Sequence, residues 1–119
     1  MVRGKVNAHG EPVVPIMLYL KGTPQEFPAV IDTGFNGYLS VPRPIIAKAG
    51  WEFLGFEDYE LASGQILRER VYWGSALFDR GQIEVYVVAT DSTDLLIGTA
   101  LLQRKRLVID FRTGEVHLT

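Results

Sequence analysis

From Gln82 to Val87 the chain reads Gln-Ile-Glu-Val-Tyr-Val, with a branched apolar residue at every second position. Alternation of that kind predicts a strand with one face buried and one face in water. Two other runs, Val13–Leu20 and Ala29–Ile31, are apolar at consecutive positions. They predict strands covered on both sides, with Pro15 placing part of the first at an edge or a bulge. Between such runs stand tight-turn signals: His9-Gly10-Glu11-Pro12, Lys21-Gly22-Thr23-Pro24, Asn36-Gly37, Ser63-Gly64, Asp79-Arg80-Gly81 and Arg112-Thr113-Gly114. Short strands joined by Gly- and Asp-rich turns are the pattern of an all-β protein. Two stretches break it. Pro44–Ala49 opens with a proline suited to a first helical turn and stops at Gly50, and Thr99–Gln103 has room for one short helical turn beginning near Thr99. Neither is long enough to persist without packing. About eight strands in 119 residues leave exposed edges unless the sheet closes, so the expected architecture is a small closed β barrel with one or two short helices. No linker, repeat or low-complexity tract divides residues 1–119, and one domain is expected.

Composition narrows the functions. Hydrophobic residues make up 47% and charged residues 22%, which argues against a disordered or fibrous chain. Twelve Lys and Arg against fourteen Asp and Glu leave a net charge of −2. That balance supplies neither a basic footprint for nucleic acid nor a polybasic membrane face. The absence of cysteine excludes disulfides, thiolate catalysis and Cys-ligated zinc. The longest apolar run, Val13–Leu20, falls far short of the roughly twenty residues of a membrane helix. Met1 is followed by Val2-Arg3-Gly4-Lys5 with no apolar signal core, so a soluble, cytoplasmic protein is the expectation.

The segment with the most chemistry is Phe27–Ser40. An apolar strand runs directly into Asp32, then Thr33, then Gly34. A carboxylate at the end of a buried strand is costly to ionise unless it is hydrogen-bonded or used. Gly34 allows the chain to turn so that main-chain N–H groups point back at Asp32, and Thr33 adds a hydroxyl that can fix the loop. Taken alone, Asp-Thr-Gly is more often an ordinary turn after a strand.

A second segment changes that balance. Asp94-Leu95-Leu96-Ile97-Gly98-Thr99-Ala100-Leu101-Leu102 leads to the closing run Leu107-Val108-Ile109-Asp110-Phe111-Arg112-Thr113-Gly114-Glu115-Val116-His117-Leu118. With Ala29-Val30-Ile31-Asp32-Thr33-Gly34 and, about sixty residues on, Leu96-Ile97-Gly98, the chain resembles the retropepsin-like aspartic proteases. Order and spacing match across essentially its whole length, and the continuation from Phe35 to Pro42 is most similar to the bacterial and archaeal branch. The resemblance implies a small β barrel in which the strand before Gly98 packs against the Asp32 loop and Gly98 permits close backbone approach. It also implies a hairpin flap over the substrate, matched by Tyr59–Leu67 with Ser63-Gly64 at its tip; without the resemblance that stretch reads equally as a plain surface hairpin.

The implied chemistry is peptide hydrolysis by an activated water, without cofactor or metal. It requires two carboxyls sharing one proton, one taking a proton from water and the other polarising the carbonyl. The chain holds one Asp-Thr-Gly; its other X-Thr-Gly, Arg112-Thr113-Gly114, has Arg in place of the acid. A complete dyad therefore implies Asp32 from each of two subunits about a twofold axis, a homodimer acting on a peptide or protein. By the resemblance Asp32, Thr33 and Gly34 are catalytic, with Thr33 bonding across to the opposite loop. Phe35, Asn36, Gly37, the flap residues Ala62, Ser63, Gly64 and Gln65, and Leu96, Ile97 and Gly98 are expected to bind substrate. With Val30 and Leu95 nearby, the cleft should favour apolar side chains.

The chain also departs from the retroviral pattern. Phe35 stands where Ala is usual, and Asn36 and Thr99 replace an acid and an arginine that pair in support of the dimer. A non-catalytic peptide-binding module, with Asp32 as a loop acceptor, and a purely structural dimerisation domain stay open as alternatives. Asp110 precedes a tight turn and is expected to cap it. Arg104-Lys105-Arg106 reads as a solvated loop, His9 and His117 as surface or strand residues, and the Trp and Tyr residues as core or cleft lining. Neither a Gly-x-Ser-x-Gly elbow nor a phosphate-cradling loop is present.

Overall fold

Each apolar run marked above forms a strand. The computed structural model describes residues 1–119. Its elements are β1 (Val2–Val6), β2 (Pro12–Leu20), β3 (Thr23–Ile31), β4 (Leu39–Pro42), helix α1 (Arg43–Ala49), β5 (Glu52–Glu60), β6 (Ile66–Phe78), β7 (Gly81–Thr90), β8 (Leu96–Ile97), a 3₁₀ turn (Thr99–Leu102), β9 (Leu107–Asp110) and β10 (Glu115–Leu118). The strands join in one sheet of order β5-β6-β7-β4-β8-β3-β2-β1-β10-β9, with a further pairing of β6 to β2. That pairing, Met17 opposite Leu77 and Leu18 opposite Ala76, brings six strands back on themselves. β5 and the β1-β10-β9 group lie outside the circuit. The closed barrel expected from the sequence is thus a single sheet folded over, held shut by a two-residue contact.

Apolar side chains from both halves of the fold meet inside. Ile16 and Leu18 of β2, Leu39 and Val41 of β4, Val87 of β7, Ile97 of β8 and Leu118 of β10 are fully buried or nearly so. Each such side chain contributes about 1.5–3 kcal/mol by leaving water. On β7 the expected alternation is present, with Val85, Val87 and Ala89 inward and Gln82, Glu84 and Tyr86 outward.

Proline placement follows from register. Pro15 faces Pro28, and Tyr19 faces Pro24, across β2 and β3. Lacking N–H groups, these prolines fit only the pairs of an antiparallel ladder that exchange no hydrogen bonds. On its other side β2 pairs with β1 at Pro12 and Val13 and with β6 at Met17 and Leu18. Pro15 sits where β2 changes neighbours, so its missing donor costs no bond.

Two-residue turns with positive φ close two hairpins: Lys21-Gly22 (51° and 81°) between β2 and β3, and Asp79-Arg80 (50° and 72°) between β6 and β7. Such turns match the natural twist of paired strands. Helix α1 ends as expected on Gly50 at φ 71° and starts one residue earlier than expected, with Pro44 in its first turn. The 3₁₀ turn has Gly98 at its cap and no side-chain capping bond. At the last hairpin, Arg112 N–H donates to Asp110 Oδ1 at 2.9 Å, which is the turn-capping role expected of Asp110. Lys105 departs from the solvated loop expected of it. Its ammonium reaches Asp79 Oδ2 at 2.6 Å and lies 6.0 Å from the Phe78 ring centroid.

Candidate active site

Strand β3 carries the chain from the core to Asp32. Its last residues pair in parallel with β8, Val30 with Leu96 and Ile31 with Ile97. β8 in turn pairs antiparallel with β4, Leu39 with Ile97 and Ser40 with Leu96. The loop leaving Asp32 therefore begins and ends on strands that flank the same two-residue strand, which fixes both of its roots. Asp32 N–H donates to Ile97 O at 2.9 Å, and Phe35 N–H donates to Asp32 O at 3.1 Å. Gly34 N–H donates to the carboxylate itself, at Oδ1, at 2.9 Å. Across the loop, Gly98 N–H reaches Tyr38 O at 3.0 Å, Thr99 N–H reaches Phe35 O at 2.8 Å, and Ala100 N–H reaches Gly37 O at 3.2 Å. Main-chain bonds thus hold the loop from both ends, and Asp32 is half-buried with Thr33 and Gly34 exposed beside it.

Close approach explains the glycines. A Cβ on Gly98 would lie 2.1 Å from Gly37 O and 2.7 Å from Phe35 Cδ2. One on Gly37 would lie 2.6 Å from Phe35 Cζ. The Phe35 ring is tucked against both glycines, so its bulk is taken up largely within the loop.

Next to the loop opens a cleft of about 700 Å³, bounded by Gly34–Leu39 on one side and by the β5–β6 hairpin and β7 on the other. Of the residues singled out from sequence, Gly34, Phe35, Asn36 and Gly37 line it. Ala62, Ser63, Gly64 and Gln65 form the far tip of the hairpin, closed by Leu61 N–H to Gln65 O and Gly64 N–H to Leu61 O, both 2.8 Å, with Gly64 at φ 85°. Leu96, Ile97 and Gly98 stand behind the Asp32 loop instead of along the cleft. Ile97 is fully buried, so it supports the loop from the core and is not free to meet a substrate. The cleft wall also includes Tyr38, Tyr59 and Tyr86, in the lining role expected of the tyrosines, together with Leu54, Phe56 and Glu57, which the motifs did not single out. Alternation along β5 was the available signal for Glu57 and Tyr59, but it gives no direction until the hairpin is placed over the loop.

Partial burial, then the neighbouring Glu57 carboxylate, pushes the Tyr59 hydroxyl up to about 12, so it stays a hydrogen-bond donor throughout the working pH range. Tyr86 joins an exposed aromatic group, 5.1 Å from Trp73 and 6.5 Å from Tyr38 between ring centroids. Trp51 instead packs on the core and donates its Nε1–H to Tyr19 O at 3.0 Å. No helix is long and apolar enough to cross a membrane.

No family model matches the chain, and no curated protein matches it. Solved structures do. A retropepsin-like aspartic protease from Rickettsia conorii superposes with a TM-score of 0.66 at 14% identity, covering 98% of this chain and 87% of that one. The EIAV protease, solved with the inhibitor HBY-793, gives 0.62 at 13% identity, covering 82% and 89%. The simian foamy virus protease gives 0.55 at 18% identity, covering 74% and 90%. At such low identity the agreement speaks of backbone arrangement alone, and it extends over most of each partner. With a strand-end Asp loop gripped by a two-residue strand and faced by a long hairpin, this chain has the retropepsin-like fold.

Proposed function

We propose that the protein is an aspartic endopeptidase that hydrolyses peptide bonds as a homodimer, each subunit supplying one Asp32. The observation that supports this reading is the setting of Asp32. It sits half-buried at the end of β3, with its carboxylate held by Gly34 N–H, in a loop whose next residues line a 700 Å³ cleft faced by a hairpin. A single carboxylate does not both activate a water and polarise a carbonyl, so a second is required. The twofold copy of Asp32 is the economical source, with Thr33 of each chain bonding to the opposite loop. Adjacent carboxyls then share one proton, because two like charges at that distance do not both ionise cheaply. The ionised member takes a proton from water as the water attacks the peptide carbon; the protonated member donates toward the carbonyl oxygen. Collapse of the tetrahedral species breaks the C–N bond, and the proton passes to the leaving amine. Closure of the Tyr59–Leu67 flap at the end of the β5–β6 hairpin excludes bulk water from this step.

The test is cleavage of a mixed peptide pool at mildly acidic pH, read by mass spectrometry, beside the solution mass of the protein. The unaltered chain should run as a dimer and cut. Asp32→Asn should abolish cutting while leaving the fold and the dimer intact. Cutting that survives Asp32→Asn removes Asp32 from the chemistry. Peptide binding without any cutting assigns the cleft to a non-catalytic recognition module.

A further inference from the structure

Glu57 is the one charged residue on the wall of the cleft, among mostly apolar and aromatic neighbours. It has no ion-pair partner in the chain: the salt bridges join Asp79 to Met1 and Lys105, Arg43 to Asp91, Arg68 to Asp58, Arg112 to Asp110 and His117 to Glu115. The hairpin's register explains why. Glu57 stands opposite Glu69, whereas Asp58 stands opposite Arg68 and Phe56 opposite Arg70. Because side chains alternate between faces, the two arginines fall on the other face of the hairpin from Glu57 and Glu69. There Arg68 is bound to Asp58 at 2.9 Å, and the Arg70 guanidinium lies 5.4 and 5.3 Å from the Phe53 and Phe56 ring centroids. Like charges directly opposite across a ladder destabilise it. Arg43, the cation that acts on Glu69, is itself bound to Asp91 at 2.8 Å. Burial holds Glu69 above the usual carboxylate range, with Asp91 adding to the effect. The cleft wall thus carries a negative charge that the chain itself leaves without a counter-ion, beside apolar surface suited to a large side chain.

We infer that Glu57 is a specificity-determining residue, and that the cleft selects extended peptides in which a Lys or Arg lies close to a large apolar residue. The apolar side chain occupies the wall formed by Leu54, Tyr38 and Tyr86, and the peptide's cation supplies the ion-pair partner that Glu57 lacks. The inference rests on the reading of the cleft as a peptide site, but not on hydrolysis itself.

The test measures binding without turnover. Short fluorescent peptides with a central apolar residue, and Lys, Gln or Glu scanned through the flanking positions, are titrated into Asp32→Asn protein by fluorescence polarisation. At one position Lys should bind about five-fold more tightly than Gln, the scale of a partly solvated ion pair, and Glu more weakly than either. Adding Glu57→Gln should bring the Lys-to-Gln ratio to about one, and Glu57→Lys should invert the preference to Glu. Equal binding of the Lys and Gln peptides at every position, a ratio unchanged by Glu57→Gln, or no binding of any peptide overturns the inference. The same peptides incubated with the unaltered chain score hydrolysis separately. A Lys preference without cutting keeps this inference and removes the proposed activity; cutting without a Lys preference does the reverse.

Discussion

Gly98 carries more structural weight than its size suggests. A Cβ on it would run into Gly37 O and the Phe35 ring, and its N–H is bound to Tyr38 O. Gly98→Ala places a methyl where a carbonyl oxygen already sits, so either the Asp32 loop or the start of the 3₁₀ turn must move. We expect a loss of about 3 kcal/mol in urea unfolding, the upper range for forced overpacking. Gly64→Ala is the control. It lies at φ 85° with open space around its Cβ position, so strain alone should cost about 1–2 kcal/mol. Peptide binding should suffer more from the first change than from the second. The turn of main-chain N–H toward Asp32 at Gly34 and the close backbone approach at Gly98 were legible in the sequence because each is a short pattern tied to one local need. The way Phe35 fits was not legible. In the sequence it stands only as a bulky residue in the usual place of Ala, expected to meet substrate, and only the fold brings Gly37 and Gly98 together to receive it.

Elements were legible where a local rule sets them. Alternation gave β7, Gly50 gave the end of α1, and the paired turn residues gave the hairpins. Partner choice was less so, because it depends on distant residues. Nothing near Met17 or Leu18 announces that they pair with Leu77 and Ala76, the contact that brings six strands back on themselves and leaves β5 and the β1-β10-β9 group outside. Lys105 is a second case. Within Arg104-Lys105-Arg106 it looks like any solvated cation, yet the fold sets it on the β6–β7 turn, where it and the Met1 ammonium bind Asp79 at 2.6 and 2.9 Å. Hydrogen bonds from Lys105 and then from Met1 hold the Asp79 carboxyl at about 2, below its ordinary 3.8. A depressed carboxyl stabilises the fold above its ordinary value and loses that contribution as the pH falls toward its folded value. Asp79→Asn should therefore cost about 1 kcal/mol at neutral pH, less than the full shift implies because solvent screens the group. The difference between the two proteins should shrink as the pH falls through about 2. Urea melts of both proteins across that range check the sign.

At the scale of the whole molecule, the chain is somewhat more extended than its length requires. Its radius of gyration is 14.4 Å, against about 13.5 Å expected for a domain of this length. The long β5–β6 hairpin stands out from the folded-over sheet, and Phe53, Leu54, Phe56, Leu61, Ile66 and Leu67 on it are all substantially exposed. A cluster of that kind marks a surface that meets something else. In the proposed enzyme the hairpin meets a peptide, and the Asp32 loop meets its own copy. The proposed activity depends most on that second meeting, and subunit mixing tests it directly. Unaltered and Asp32→Asn chains are combined in varying ratio, allowed to exchange, and assayed for peptide cleavage at constant total protein. If both carboxyls are needed, only dimers with two intact subunits cut, and an equal mixture retains about one quarter of full activity. If each chain cuts on its own, activity follows the intact fraction and the equal mixture retains about one half, which would contradict a site shared between two copies of Asp32.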